Sequence, residues 1–198
     1  RETYQLFPSS IVFMIELTDA ELVAQCLKGE RAAFGVLVDR YQKPVFNAAL
    51  RIVGNGEDAA DITQVVFLKA YEKLRSYKPN YKFFSWLYRI AVNESINFAK
   101  ARRQHEEIDD SIPAEDGPVG EETPEAVEGI IEEALQALSL EHRLVLVLCH
   151  LQELSYREAG YVLDLPEKTV KSRLFTARKV LKDVLIRKGR LDERRTTR

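Results

Sequence analysis

The sequence predicts an all-α protein made of two small helical domains that are joined by a flexible acidic linker. Apolar residues recur at the three- and four-residue spacing of amphipathic helices through most of the chain. Two capping boxes mark helix starts, one formed by Thr18 and Glu21 and the other by Ser155 and Glu158. Between residues 104 and 123 this pattern gives way to prolines, glycines and dense acidic charge, a composition typical of flexible linkers.

The net charge of −2 hides a separation of charge along the chain. Residues 104–133 contain 12 acidic residues and no lysine or arginine, so the rest of the chain carries 29 basic residues against 19 acidic ones. Two basic domains on either side of an acidic segment indicate polyanion binding at both ends.

The sequence also predicts a cytoplasmic protein. No apolar run approaches the roughly 20 residues that span a bilayer, and residues 11–15 lack the layout of a signal peptide. Cys26 and Cys149 lie in apolar helical contexts without a CxxC partner, so we expect packing residues rather than a disulfide or a metal site. His150 beside Cys149 is only a weak indication of metal binding without two further ligands.

The first domain is expected to span residues 14–103, after an extension of unknown role at residues 1–13. A short helix should close at Gly29, and the next helical stretch should kink or restart at Pro44. A third helix is expected at about residues 58–74, where Ile62, Val66 and Ala70 form an apolar track.

A second track on this third helix is polar except for one leucine: Asp61, Gln64, Leu68 and Glu72. A leucine in a polar face is often a trivial exposed side chain. It can also be the centre of a protein-docking patch with a polar rim. The residues alone favour the trivial interpretation.

Residues 82–103 form the stretch around which the rest of the chain is organised. We expect Ser85 to cap a helix from residue 86 to residue 103, since no proline or glycine interrupts it. One stripe of this helix combines an aromatic ring with two amides and two cations: Trp86, Arg89, Asn93, Asn97 and Lys100. Another stripe is apolar: Leu87, Ala91 and Phe98. The mixed stripe suits opened DNA, although an ordinary surface helix with a half-buried tryptophan fits these residues equally well.

The loop that precedes this helix, at residues 75–82, alternates tyrosines with lysines. Tyr77 and Tyr81 lie between Lys78 and Lys82, and such an arrangement suits a platform for a single strand. Tyrosine-rich loops also occur without that role.

The second domain is expected to span residues 124–190, followed by a basic tail at residues 191–198. Pro124 should open one helix, and a buried helix should follow at about residues 140–152. A further helix to about Leu163, a turn at residues 164–166 and a last helix make a helix-turn-helix.

The last helix has an apolar core face and an opposite face that carries cations, hydroxyls and an aromatic ring. The core face contains Val170, Leu174, Ala177 and Leu181. The opposite face contains Lys168, Ser172, Phe175, Thr176 and Lys179, flanked by Lys171 and Arg178. An outward phenylalanine among cations suits the major groove, where it can contact thymine methyl groups. An ordinary helical hairpin with a solvated basic face remains the alternative.

Three of these runs resemble the extracytoplasmic-function group of bacterial sigma factors, over about residues 17–188. The run Phe83-x-x-Trp86-Leu87-Tyr88-Arg89-Ile90-Ala91-x-Asn93 resembles the segment that melts the promoter and reads the minus-ten element. The run Asp61-x-x-Gln64-x-x-Phe67 resembles the segment that binds the clamp helices of core RNA polymerase. Residues 155–181 resemble the domain that reads the minus-thirty-five element. The resemblance implies a region 2 helical bundle and a region 4 helix-turn-helix.

The resemblance also implies three sets of site residues. The minus-ten set is Tyr77, Lys82, Phe83, Trp86, Arg89, Asn93, Asn97, Lys100, Arg102 and Arg103. The minus-thirty-five set is Arg157, Lys168, Thr169, Lys171, Ser172, Phe175, Thr176 and Lys179. The polymerase-binding set is Asp61, Gln64, Phe67, Leu68 and Glu72.

The partners implied by the resemblance are core RNA polymerase, through its clamp coiled coil and its flap, promoter DNA and an anti-sigma factor. The polymerase supplies catalysis and Mg²⁺, so no catalytic residue, cofactor, metal or small-molecule substrate is expected for this chain. Linkers of this group thread the active-site cleft and the RNA exit path, where their acidity imitates nascent RNA.

The sequence departs from the family pattern at a few positions. Phe84 stands where a smaller or more polar residue is common, and Thr176 stands where arginine is frequent. Ala159 and Gly160 replace the usual Ile-Ala, which should loosen the first helix of the helix-turn-helix. Ser139 replaces a usual proline but remains a good N-cap.

Two other functions compete with a sigma factor. A stand-alone helix-turn-helix regulator would bind duplex DNA without polymerase, but a ligand-sensing core needs neither the Trp86 stripe nor the Leu68 face. A metal-dependent nuclease would need the acid pairs at residues 109–110 and 121–122, which lie in a linker that cannot hold carboxylates rigidly.

Overall fold

The computed structural model describes residues 14–106 and 124–187, with side chains described for residues 14–102 and 129–187. In the first range the chain forms α1 (Asp19–Leu27), α2 (Arg31–Val53), α3 (Gly56–Glu72), a 3₁₀ turn (Leu74–Ser76) and α4 (Phe83–Glu106). In the second it forms α5 (Pro124–Gln136), α6 (Leu140–Leu146), a π turn (Val147–Leu151), α7 (Tyr156–Leu163) and α8 (Glu167–Arg187). These ranges contain no strand, which confirms the all-α prediction.

Polar side chains at the helix starts confirm both predicted capping boxes. The Glu21 backbone N–H donates to Thr18 Oγ1, and the Glu158 N–H donates to Ser155 Oγ at 3.2 Å, while each glutamate accepts from the N–H of its cap. Asn55 caps α3 by accepting from two backbone N–H groups, so α3 begins at Gly56, two residues before the predicted start.

Of the two alternatives predicted at Pro44, a kink or a restart, the restart is wrong, because α2 continues through this residue as one helix. It ends at Gly54, whose φ of 76° is left-handed and therefore favours glycine. A Cβ at this position would also lie 2.6 Å from the Gln136 side chain of α5. Gly54 thus ends the helix and admits a close contact from the second domain.

The helix α4 begins at Phe83, and the expectation that Ser85 caps it is wrong. The Trp86 N–H donates to the Lys82 carbonyl, which places Ser85 inside the first turn. Burial of the Phe83 ring against Tyr41 and Tyr77 explains the early start, because this contact draws the chain into the helix before the serine. The Ser85 hydroxyl is fully buried and has no hydrogen-bond partner within the described ranges.

Ser85→Ala is expected to raise the free energy of unfolding by up to about 1 kcal/mol, since it removes an unsatisfied buried hydroxyl and improves helix propensity. Ser95→Ala is the matched control, because Ser95 is equally buried in α4 but donates to the Ala91 carbonyl at 2.8 Å. Urea unfolding of both variants measures the difference. A loss of stability for Ser85→Ala equal to that for Ser95→Ala would show that the Ser85 hydroxyl is satisfied in solution.

The predicted helix-turn-helix is present in the second domain. The helix α7 ends at Asp164, which is left-handed with a φ of 56°, and the Leu165 N–H donates to the Gly160 carbonyl at 2.9 Å. A Cβ at Gly160 would lie 2.6 Å from the Leu165 carbonyl oxygen. Gly160 therefore lets the turn close tightly, in contrast to the loosening expected from the sequence. The preceding apolar run is helical from Leu140 to Leu151, close to the predicted helix at about residues 140–152, but its last five residues form a π-helix.

The two domains pack against each other, and buried Arg143 of α6 joins them. Its guanidinium donates to the carbonyls of Leu135, Gln136 and Leu138 within the second domain and to the Ile52 carbonyl at the end of α2. Cationic donors at the C-terminus of a helix are favourable because its last carbonyls lack partners. Arg143 thus closes α2 and holds the chain around residues 135–138 at the same time.

The cysteines are not paired with each other. Cys26 and Cys149 are free and half-buried, and burial raises the pKa of both thiols. Within the described ranges, no helix is long and apolar enough to cross a membrane.

Candidate nucleic-acid interface

The two stripes predicted for α4 lie on different sides of the helix. Leu87 and Ala91 are buried in the core, whereas Asn93, Asn97 and Lys100 are exposed. The helix can therefore fix its position through one face and present amides and a cation to a ligand through the other. Arg103 lies on α4, but its side chain falls outside the described residues.

A cleft at the N-terminal end of the exposed stripe joins α4 to the tyrosine loop. It is lined by Asn93, Arg89 and Trp86 of α4 and by Lys78 and Tyr81 of the loop, among other residues. Trp86 is only 8% exposed, and its ring lies edge-on to Tyr77 with centroids 5.7 Å apart. The tryptophan therefore reaches the cleft at an edge and is held from behind by the aromatic core.

We call Tyr81, Lys82 and Arg89 the platform, one aromatic ring and two cations. Tyr81 and Arg89 line this cleft, and Lys82 lines a neighbouring pocket that Tyr81 also borders. The Tyr77 hydroxyl donates to the Tyr81 carbonyl at 3.0 Å and so fixes the backbone of the loop. Lys82 remains 77% exposed even though its ammonium lies 3.3 Å from Glu158. The platform has the groups that stack on a base and neutralise phosphates.

Two aromatic residues near the cleft do not reach its surface. Phe83 is 1% exposed and packs against Tyr41 and Tyr77, which contradicts a direct contact between this ring and DNA. Phe84 packs against Tyr41 and Tyr88, so its difference from the family pattern changes the interior rather than the cleft. In the helical projection Phe83 lies between the mixed and the apolar stripes, so the spacing did not reveal its burial, whereas Phe84 lies beside the apolar stripe.

The Arg102 side chain lies beside α3, where its guanidinium is 3.5 Å from the Asp58 carboxylate. Both side chains are partly exposed, so the pair contributes little to stability. Lys100 has no such neighbour among the ion pairs of the described side chains and remains exposed on the stripe.

The exposed apolar patch on α3 is centred on Leu68, which is 61% exposed. Val65 is also exposed, and the polar residues Asp61, Gln64 and Glu72 surround the two apolar side chains. Phe67 is 8% exposed and lies edge-on to Phe34, which contradicts its predicted place on the docking surface. Phe67 instead supports the patch from below.

The helix α8 presents a basic face around Phe175, which is 74% exposed. Lys168, Lys171, Ser172, Thr176 and Lys179 are also exposed on this helix, while Val170, Leu174 and Ala177 are buried. Thr169 is half-buried, and exposed Arg157 lies on α7 with its Cζ atom 5.9 Å from the Tyr81 ring centroid. Seven of the predicted minus-thirty-five residues therefore lie on one helix, and Arg157 points toward the platform.

Two titratable groups adjoin these surfaces. Burial tends to raise the pKa of Glu158, but hydrogen bonds from Ser155 and the Lys82 ammonium outweigh this effect and lower the pKa. The Glu158 contacts therefore stabilise the fold above the ordinary pKa of a glutamate and are lost as pH falls through the lowered value. Burial and the Arg178 charge lower the pKa of His150, which accepts a hydrogen bond from Arg178 Nε at 2.7 Å.

The comparison with known proteins supplies the family. The family model for sigma-70 region 2 matches residues 37–105, and the model for sigma-70 region 4 matches residues 128–181. The ECF RNA polymerase sigma-E factor of Escherichia coli (strain K12) is 36% identical over 179 residues, covering 84% of this chain and 93% of that protein. This chain belongs to the extracytoplasmic-function sigma factors. The RNA polymerase sigma-H factor of Pseudomonas aeruginosa is 32% identical to this sigma factor over 181 residues, with the same coverage of both chains.

Solved structures agree with this assignment. CnrH in complex with the cytosolic domain of CnrY has a TM-score of 0.67 and 28% identity, covering 84% of this sigma factor and 96% of that chain. RpoE of Bartonella quintana, solved with the anti-sigma factor NepR, has a TM-score of 0.65 and 22% identity. The match covers 77% of this sigma factor and 96% of that chain, and it shows a shared fold. Sigma factors bind core RNA polymerase and direct it to promoters, and a stand-alone regulator is not favoured.

Proposed function

We propose that the exposed stripe of α4 and the adjoining platform hold the minus-ten element of the promoter in its opened form. The observation that carries this proposal is the continuity of three kinds of group along one surface. The amides of Asn93 and Asn97 suit base edges, the Tyr81 ring suits stacking, and Lys82, Arg89 and Lys100 suit phosphates.

Opening a duplex costs stacking energy, a few kcal/mol for each base that leaves the stack. The cleft beside Asn93 and Tyr81 would offset this cost, because a base that took the place of Tyr161 on the Tyr81 ring would meet a ring face and amide donors together. Trp86 would stand at the junction of duplex and single strand, with only its edge exposed. Phe83 and Tyr77 would act indirectly by fixing the Trp86 ring.

The minus-thirty-five element would be bound by α8 in the major groove. Phe175 can contact thymine methyl groups, while Lys168, Lys171 and Lys179 can hold phosphates on either side of it. Ser172 and Thr176 add hydroxyls for base edges or backbone. Thr176 cannot make the bidentate contact with guanine that an arginine would make, so we propose a different base preference at that position.

Core RNA polymerase would dock on the Leu68 patch, where an apolar centre is surrounded by polar groups. The acidic linker predicted at residues 104–123, of which 107–123 lie outside the described residues, would enter the polymerase cleft. We place this action in the cytoplasm, and we assign the chemistry of transcription to the polymerase rather than to this chain. An anti-sigma factor is a further proposed partner, which the family resemblance implies; RpoE of Bartonella quintana, which shares the fold, was solved with the anti-sigma factor NepR.

The experiment that tests this assignment is initiation by purified core RNA polymerase on a pool of genomic fragments at stated salt. We expect discrete new start sites with the wild-type protein and about a tenfold loss of starts with Asn93→Ala, because one base-edge contact is worth about 1–3 kcal/mol. Gln42→Ala is the control, since it removes an exposed amide from α2 instead. Equal activity of Asn93→Ala and Gln42→Ala would refute the minus-ten assignment of the stripe.

A further inference from the structure

The platform is covered by the second domain. The ring of Tyr161 on α7 stacks on the Tyr81 ring, with centroids 3.8 Å apart and planes inclined by 15°. The Arg89 Cζ atom lies 5.1 Å from the Tyr161 ring centroid, and Arg89 Nη1 donates to the Tyr161 carbonyl at 3.0 Å. Tyr161 therefore uses the two surfaces of the platform that a nucleobase would use.

Two carboxylates accompany Tyr161 on the side of α7 that faces the platform, Glu158 within the helix and Asp164 at its left-handed C-terminal cap. Glu158 lies 3.3 Å from the Lys82 ammonium, and Asp164 lies 3.5 Å from Arg89 Nη2. Glu158, Tyr161 and Asp164 are three residues apart in turn, a spacing that brings helical side chains onto one side. We call these three residues the α7 strip.

The α7 strip has the chemical pattern of a short single strand, in which a flat ring is flanked by negative charges. We infer that the α7 strip occupies the platform in place of minus-ten DNA, so that the sigma factor is closed until the strip leaves. This inference rests on the proposed role of the platform in binding the opened strand. The α8 face around Phe175 is exposed in the same structure, so the closed chain can still meet duplex DNA.

The contacts of the α7 strip are suited to displacement. Asp164 is 88% exposed and Lys82 is 77% exposed, so water and salt screen both ion pairs. A strand that arrives with phosphates and a stacked base can replace every contact the strip makes with the platform. When only a fraction of the molecules is open, the apparent affinity for the strand falls by that same fraction.

The first test measures strand binding by the full chain, using fluorescence anisotropy of a labelled 12-nucleotide single strand of randomised sequence. Tyr161→Ala and Asp164→Asn are expected to raise the affinity for the strand about threefold to tenfold, as the open fraction grows. Asparagine tolerates the left-handed backbone at residue 164, and circular dichroism checks that both variants fold.

Two matched variants separate release of the α7 strip from the effects of losing the tyrosine hydroxyl or of removing one negative charge. Tyr161→Phe retains the stacked ring and should bind the strand as the wild type does. Asp183→Asn adds the same charge at an exposed site on α8 and should gain less than Asp164→Asn. A labelled 12-base-pair duplex should bind all variants with nearly equal affinity. A gain for Asp183→Asn equal to that for Asp164→Asn, or weaker strand binding by Tyr161→Ala, would overturn the inference.

The second test measures closure without DNA. Spin labels at Arg75→Cys and Arg187→Cys, in a chain whose Cys26 and Cys149 are replaced by alanine, report the distance between the domains. We expect one narrow distance distribution for the wild type and a broader, longer one for Tyr161→Ala. An unchanged distribution overturns the inference and leaves the proposed function intact. A broadened distribution without any gain in strand affinity refutes the platform as a strand site, and the inference with it.

Discussion

Leu68→Asp is expected to weaken binding to core RNA polymerase by about 100-fold or more while the sigma factor remains folded. Truncating a central interface residue typically costs at least about 2 kcal/mol, and a carboxylate in a desolvated apolar site adds a further penalty. The side chain is 61% exposed, so the free protein meets no such penalty. Biolayer interferometry with immobilised core polymerase measures the dissociation constant.

Leu27→Asp is the matched control for this variant, because Leu27 is a 48% exposed leucine on α1 rather than on the patch. Its affinity for the polymerase should be close to that of the wild type. If both variants bind equally well, the Leu68 patch is not the docking surface. If both bind equally poorly, added negative charge alone explains the loss.

Arg143→Met is expected to lower the free energy of unfolding by about 3–5 kcal/mol, the cost of breaking a buried charged network. Methionine fills much of the same volume but donates no hydrogen bond, so the carbonyls of Leu135, Leu138 and Ile52 lose their partner. Each buried carbonyl without a partner costs roughly 1–3 kcal/mol. Thermal and urea unfolding measure the loss.

Arg187→Met is the control, because Arg187 is exposed in the last turn of α8. Its unfolding free energy should lie within about 0.5 kcal/mol of the wild-type value. A similarly small effect of Arg143→Met would show that water satisfies the carbonyls once the guanidinium is removed. The network would then order the chain without stabilising it.

The helical spacing of apolar residues was sufficient to predict which side of each main helix is buried and which side is exposed. Leu87 and Ala91 face inward and Asn93 faces outward, as their spacing indicates, because each helix buries one stripe against the rest of its domain. Local hydrogen bonding was likewise readable, since both capping boxes lie within four consecutive residues. These features depend on neighbours in sequence.

The helical spacing of apolar residues did not predict burial where a residue from another part of the chain covers the side chain. Phe67 and Phe83 lie at the edges of their apolar stripes, and Phe34 and Tyr77 respectively draw them inside. Arg143 was not singled out at all, because its acceptors come from other segments and one of them, Ile52, is 91 residues away. A cation within an otherwise apolar run was the only sequence signal for it.

Tyr161 was missed for the same reason. As a tyrosine on a short amphipathic helix it carries no pattern that predicts a stacked partner, and Tyr81 lies in a loop of the other domain. Contacts between domains depend on how two separately folded surfaces meet, which periodicity along one helix does not encode.

The position of Trp86 gives this sigma factor a natural optical reporter. It is the only tryptophan in the chain, and its indole is nearly enclosed by aromatic rings at the edge of the cleft. Emission excited at the red edge of indole absorption therefore comes from one place, beside the surface where a strand is proposed to arrive. Rapid-mixing spectroscopy on the unlabelled protein can thus time the arrival of DNA at this cleft.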